Sequence, residues 1–133
     1  MDLPLDSFAQ AVPFAATTGV RMLSASPEEV VAVLDLGPAT GNGAGVMHGG
    51  ALMTLADCAA SLCAFLNLPE GAVTSTTDSF TRFLRPVSAG AATATARPLR
   101  VGRSAITVET EIRDDDGRLV AKTSQSQAVI TPV

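Results

Sequence analysis

Asp57 is the residue whose setting most demands a chemical account. It is the one acid in the longest apolar stretch of the chain, Met47–Leu68, which holds no Lys or Arg. A carboxylate removed from water is a stronger base than an exposed one, suited to taking a proton from water or attacking an electrophilic carbon. A buried carboxylate also arises as half of a structural ion pair with an arginine. If the stretch is helical, Ser61 lies one turn further on the same face. Its hydroxyl can orient Asp57 or a water, or bond back to a helix carbonyl.

His48-Gly49-Gly50 stands at the start of the same stretch. The first turn of a helix carries free N–H groups and a partial positive charge, which suits an oxyanion. Glycines there let a carbonyl approach the backbone closely. They also serve a plain loop-to-helix turn with His48 as its cap. Distance then matters. Gly49 and Asp57 are eight residues apart, roughly 12 Å along a helix. A base works within about 3 Å of its proton, so the two groups of one chain cannot act on one carbonyl. Two antiparallel helices across a two-fold axis would set each Gly49 near the partner's Asp57. That predicts an obligate dimer with two equivalent sites.

The elements that must position these groups follow from alternation. Residues 5–15 read as a short helix or loop. Val20–Ala25 and Glu29–Leu36 read as strands joined at Ser26-Pro27, and Gly37–Gly45 is a glycine-rich loop. Beyond Pro69-Glu70-Gly71, four stretches read as strands in a meander: Val73–Leu84, Gly90–Arg100, Ser104–Arg113 and Arg118–Ile130. Asp116-Gly117 marks a hairpin and Pro98 a bulge or edge. Ala92, Ala94 and Ala96 give one strand a small face that a helix can approach closely. The expectation is an α+β domain spanning 1–133, an antiparallel sheet wrapped around one long helix. One helix cannot cover both sheet faces, so a second copy is expected to help.

The 22-residue run Met47–Leu68 must also be tested as a membrane span. Asp57 near its centre, the lack of Lys, Arg, Trp or Tyr anchors and the amphipathic strands elsewhere speak for a buried core helix. Asp2 and Asp6 stand where an export signal carries basic residues, so a cytoplasmic location is expected. A net charge of −4 and the absence of Trp and Tyr argue against a nucleic-acid surface. Cys58 and Cys63 sit about 140° apart around a helix, a geometry that closes no disulfide and forms no metal signature. Two buried thiols are expected.

The run Gly45-Val-Met-His48-Gly49-Gly50-Ala-Leu-Met-Thr-Leu-Ala-Asp57 resembles the hotdog-fold thioesterases, specifically the phenylacetate-pathway (PaaI-like) and 4-hydroxybenzoyl-CoA thioesterase branch. Phe83-Leu84-Arg85-Pro86-Val87, Gly90 and Asp115–Leu119 extend the resemblance over most of 20–131. It implies hydrolysis of an acyl-CoA thioester without metal or cofactor, in a dimer and often a dimer of dimers (a homotetramer). It implies that Asp57 is the catalytic carboxylate and the Gly49 amide the donor that polarises the thioester carbonyl. Asn42 matches a residue that orients substrate or water, and Ser61 a position that assists in one branch. His48 matches a residue that supports the loop and helix start, with Gly50 beside it at the substrate. A hydroxyl at the start of the next strand falls on Ser75, Thr76 or Thr77.

Five of the nine basic residues, Arg82, Arg85, Arg97, Arg100 and Arg103, fall within 22 residues of an acidic chain. Such a zone suits an anion such as the CoA phosphates, or is a solvated sheet face. In relatives the segment matching Arg103-Ser104 lies near the nucleotide. The residues thus point to an acyl-CoA thioesterase, with an aryl or arylacetyl group as the candidate acyl group and a non-catalytic acyl-CoA binder as the alternative. Met47, Met53, Leu55, Phe65, Phe80 and Phe83 are the candidates for an acyl pocket.

Overall fold

The computed structural model describes residues 5–133; Asp2 lies outside the described residues. Helices α1 (Ser7–Ala11) and α2 (Pro13–Thr18) lead into strands β1 (Arg21–Ala25) and β2 (Val30–Asp35). The long helix α3 (Gly49–Leu66) follows, then β3 (Val73–Phe83), β4 (Ala91–Val101), β5 (Ala105–Arg113) and β6 (Leu119–Ile130). The strands form one antiparallel sheet in the order β1-β2-β4-β5-β6-β3. This is the expected α+β architecture.

The meander holds only for β4, β5 and β6. β3 crosses to the far edge and pairs with β6. Composition explains the exchange. β4 turns Ala92, Ala94 and Ala96 inward and β5 turns Ile106, Val108 and Ile112 inward, all fully buried. β3 reads Val-Thr-Ser-Thr-Thr-Asp-Ser-Phe-Thr-Arg-Phe and has no such face to offer the sheet centre. The register slips between Pro98 and Arg100, at the proline expected to disturb it. The hairpin after β5 turns on Gly117 at φ +80, where Asp114 Oδ1 accepts from the N–H groups of Asp116 and Arg118.

α3 lies across β4 and β5. The alanine face allows this close approach, and Leu55, Ala56, Ala59, Ala60, Cys63 and Ala64 are buried beneath the sheet. By length and composition α3 is able to cross a membrane, yet half of it is buried inside this fold. At its end, Asn67 Nδ2 donates to the carbonyls of Cys63 at 2.8 Å and Pro27 at 2.7 Å, tying the helix to the β1–β2 turn.

The sheet face away from α3 carries Thr93, Thr95, Thr107, Glu109 and Glu111, all half-buried in the single chain. One expectation about cover needs correction. Uncovered surfaces include β3 and one stripe of α3 through Gly50, Met53, Asp57 and Phe65. Asp57, expected to be buried, is therefore exposed in the single chain. An all-apolar helix hides which of its stripes the sheet leaves open.

Candidate active site

The start of α3 is built almost wholly from neighbours in sequence. Thr40, buried in the glycine-rich loop, donates from its hydroxyl to the Asp35 carbonyl at 2.8 Å and accepts from the Gly37 N–H at 3.0 Å. Its own carbonyl accepts from the His48 N–H at 2.8 Å, and Met47 donates to the Val87 carbonyl at 2.8 Å. His48 is the N-cap: its Nδ1 accepts from the Gly50 N–H at 2.9 Å, which leaves the ring proton on Nε2. The Gly50 amide is thus already engaged, whereas no described residue accepts from the Gly49 amide. A side chain at Gly49 would meet the Phe83 ring at 3.3 Å. The same glycine borders a cleft of about 360 Å³ with Phe83, Leu84 and Arg85. Asn42 Oδ1 accepts from the N–H groups of Ala44 at 2.8 Å and Val46 at 3.2 Å, so that oxygen shapes the loop and its Nδ2 is the group left to face a ligand.

Asp57, eight residues on, is set by side chains from three elements. Ser61 Oγ on α3 lies 3.3 Å from Asp57 Oδ1, Thr76 Oγ1 on β3 lies 3.4 Å away, and Gln125 Nε2 on β6 donates at 2.8 Å. Ser61 and Gln125 donate to Oδ1, whereas the single Thr76 proton goes to Gln127 Oε1 at 2.6 Å, and no described side chain donates to Oδ2. Of the three hydroxyls weighed for the start of β3, Thr76 is the one that reaches Asp57. Thr77 occupies the irregularity between Thr76 and Asp78 and donates to the Ser126 carbonyl at 3.2 Å instead.

Gln125 and its neighbour Gln127 were missed in the sequence. Both are buried. Gln125 Nε2 also donates to Gln127 Oε1 at 2.9 Å, and Thr76 Oγ1 approaches that oxygen at 2.6 Å. Gln125 Oε1 is buried without a partner. An unsatisfied buried carbonyl costs about 1–3 kcal/mol, and a hydrogen bond to a charged group contributes about 1.5–3 kcal/mol. Register offered the signal: Val108 faces Gln125 and Ile106 faces Gln127 across the hairpin, so both glutamines share the inward face of two apolar residues.

The remaining candidates are more scattered. Arg103 and Ser104 are exposed in the β4–β5 turn, at the same end of the sheet as Thr76 but with β6 between Ser104 and β3. Arg82 and Arg85 lie at the opposite end, Arg82 stacked 5.3 Å over Phe80 and Arg85 donating to the Leu119 carbonyl at 2.8 Å. Arg97 pairs with Glu29 at 2.6 Å. The five arginines do not form one patch on a single chain. Burial, with the Asp57 charge adding to it, pushes the Cys58 thiol up to about 12, and burial pushes Cys63 up to about 11. Neither is a nucleophile at neutral pH.

An apolar cavity of about 300 Å³ opens beside Ser61, walled by Phe8, Val12, Leu62 and Phe65. Of the six residues expected to shape an acyl pocket, Phe65 lines this cavity, while Met47 and Phe83 line the Gly49 cleft. Leu55 is in the core, and Met53 and Phe80 are exposed. Among the described residues no three His, Cys, Asp or Glu side chains gather to hold a metal.

Residues 44–121 match the thioesterase superfamily. The chain is 41% identical over 106 residues to a Deinococcus radiodurans protein named "Putative esterase", an overlap of 77% of this chain and 65% of that protein. The crystal structure of thioesterase HI1161 from Haemophilus influenzae superposes with a TM-score of 0.93 at 26% identity, covering 98% of this chain and 93% of that one. The solved structure of Rv1847/MT1895 from Mycobacterium tuberculosis, described like the Deinococcus protein, superposes with a TM-score of 0.87 at 31% identity, covering 92% of this chain and 99% of that one.

Proposed function

The chain belongs to the thioesterase superfamily, with its hotdog fold, and from that membership we propose that it hydrolyses an acyl-CoA thioester to free acid and CoA. Asp57 supplies the activating carboxylate through Oδ2, as base toward water or as nucleophile on the carbonyl carbon. The partner's Gly49 amide receives the developing oxyanion. Asn42 Nδ2 and the Ser61 and Thr76 hydroxyls orient water or substrate around that centre.

One observation carries the reading: β3 and α3 pass each other in opposite directions. Gly49 sits against Phe83 at one end of β3, and Asp57 beside Thr76 toward the other. β3 is also an 11-residue edge strand with exposed residues on both faces, a template for pairing with a second copy. Antiparallel pairing of two β3 strands exchanges their ends. It would bring the partner's Phe83 and Gly49 toward Thr76 and Asp57, and the partner's Arg82 toward the end that carries Arg103 and Ser104. A homodimer therefore joins both halves of the site and both halves of the basic zone, and a dimer of dimers repeats it.

The 300 Å³ cavity beside Ser61 supports an apolar acyl group, and the Phe8 and Phe65 rings favour an aryl or arylacetyl one. This is the PaaI-like reading, of a cytoplasmic enzyme. Incubation with a panel of acyl-CoAs and a thiol-detecting reagent tests it. We expect CoA release fastest with aryl and arylacetyl thioesters and slower with acetyl-CoA. Binding of these compounds without thiol release would instead make the protein an acyl-CoA binder.

A further inference from the structure

We propose that Gln125 is the positioning residue of Asp57, and that a polar relay starting at a backbone carbonyl of β6 fixes which edge of its amide Asp57 meets. The proposal rests on the reading of Asp57 as the reacting carboxylate.

The relay has one direction. The Ala128 carbonyl can only accept, and the Thr74 hydroxyl, with a single proton, donates to it at 2.8 Å. Thr74 Oγ1 is thereby left as an acceptor for Gln127 Nε2 at 3.4 Å. Gln127 must then turn Oε1 the other way, toward Thr76 at 2.6 Å and Gln125 at 2.9 Å. Facing that oxygen, Gln125 presents Nε2, and its second proton lies toward Asp57 Oδ1 at 2.8 Å. A flipped Gln125 would set Oε1 against two acceptors, Gln127 Oε1 and Asp57 Oδ1. The unpartnered state of Gln125 Oε1 is what this orientation requires.

A sheet built for stability alone would not place these residues here. Gln125 and Gln127 are two of the five buried polar side chains among the described residues, on strand positions opposite Val108 and Ile106. Half-satisfied polar groups in a core are worse than apolar ones. Their geometry does one chemical thing: it holds Oδ1 and leaves Oδ2 of the exposed Asp57 without a described donor. Misplacing a reacting group by about 1 Å costs up to about 100-fold in rate.

The test is a set of full-length variants, Gln125→Met, Gln127→Met, the double variant, and Gln125→Met in the Asp57→Asn background. Each is assayed for kcat and KM on the fastest thioester of the panel, beside its melting temperature. We expect Gln125→Met to lower kcat about 10- to 100-fold with KM unchanged, and Gln127→Met to lower it less. The double variant should match Gln125→Met, because Gln127 acts through Gln125. The Asp57→Asn background should show no further loss. Additive losses, or a Gln125→Met kcat within about twofold of the parent, would overturn the relay. Should Gln125→Met not fold, Gln125→Glu keeps the shape and replaces the donor with an acceptor; a kcat equal to the parent's overturns the proposal equally. A readout without substrate is the side-chain amide NMR spectrum. Asp57→Asn should move the Gln125 and Gln127 signals and leave that of Asn67 in place, and unmoved glutamine signals contradict the relay. The outcomes separate the two claims: an active Asp57→Asn removes the catalytic reading, whereas an inactive Asp57→Asn beside a fully active Gln125→Met removes only the relay.

Discussion

The two ends of the Gly49–Asp57 stretch of α3 are made in different ways. At its start, the loop from Thr40 to Gly50 supplies the cap and the free amide from backbone and near neighbours. Around Asp57, four side chains converge from α3, β3 and β6, up to 70 residues distant in sequence: Ser61, Thr76, Gln125 and Gln127. A backbone donor tolerates replacement of most side chains nearby. A carboxylate held by side chains depends on each of them. The first end should therefore be sensitive to changes in the main chain, and the second to changes in chemistry at constant shape.

The largest effect expected is at the side-chain end. Asp57→Asn preserves the shape and can still accept from Gln125, yet it removes the charge; steady-state kinetics should show kcat lower by about 10³-fold or more, with melting little changed. Next comes the main-chain end. Gly49 is the first residue of α3, a position where proline is tolerated, so Gly49→Pro removes the amide proton without breaking the helix. We expect about 10²- to 10³-fold in kcat, as for loss of one oxyanion donor. Gly49→Ala presents a similar contact to Phe83 but keeps the amide. The same assay on Gly49→Ala should show a much smaller loss, and equal losses would mean that crowding at Phe83, rather than the donor, sets the rate.

Smaller changes sharpen the contrast. His48→Ala removes the side-chain cap on Gly50, which should lower stability by about 1 kcal/mol in urea titration and kcat by less than tenfold. The smallest effect is at the thiols. Burial raises both cysteines, to about 12 and about 11, so the unreactive protonated forms dominate well above neutral pH. Iodoacetamide at pH 8 should label neither Cys58 nor Cys63 in the folded protein, and both in urea, as counted by intact mass.

The same contrast governs what could be read from the sequence. The helix start was legible because His48, Gly49 and Gly50 are consecutive, and the strands because their alternation is local. The place of β3 was not, since strand order depends on pairings made across the sheet. Asp57 was legible as a type but not in its setting, because every stripe of an all-apolar helix looks alike. Gln125 and Gln127 stayed hidden in β6, where Lys122, Ser124 and Ser126 make the outward face polar as well. Periodicity cannot separate two polar faces; counting back across the Asp116-Gly117 hairpin to Val108 and Ile106 separates them at once.

A subunit-mixing experiment bears most directly on the shared site. Asp57→Ala and Gly49→Pro chains carrying different affinity tags are co-expressed, and the heterodimer alone is isolated through both tags. One of its two sites then holds an intact Asp57 facing an intact amide, so its thioesterase rate should recover to about half that of the parent dimer, while either homodimer remains inactive. A doubly tagged heterodimer no more active than the homodimers would contradict a site assembled from two chains.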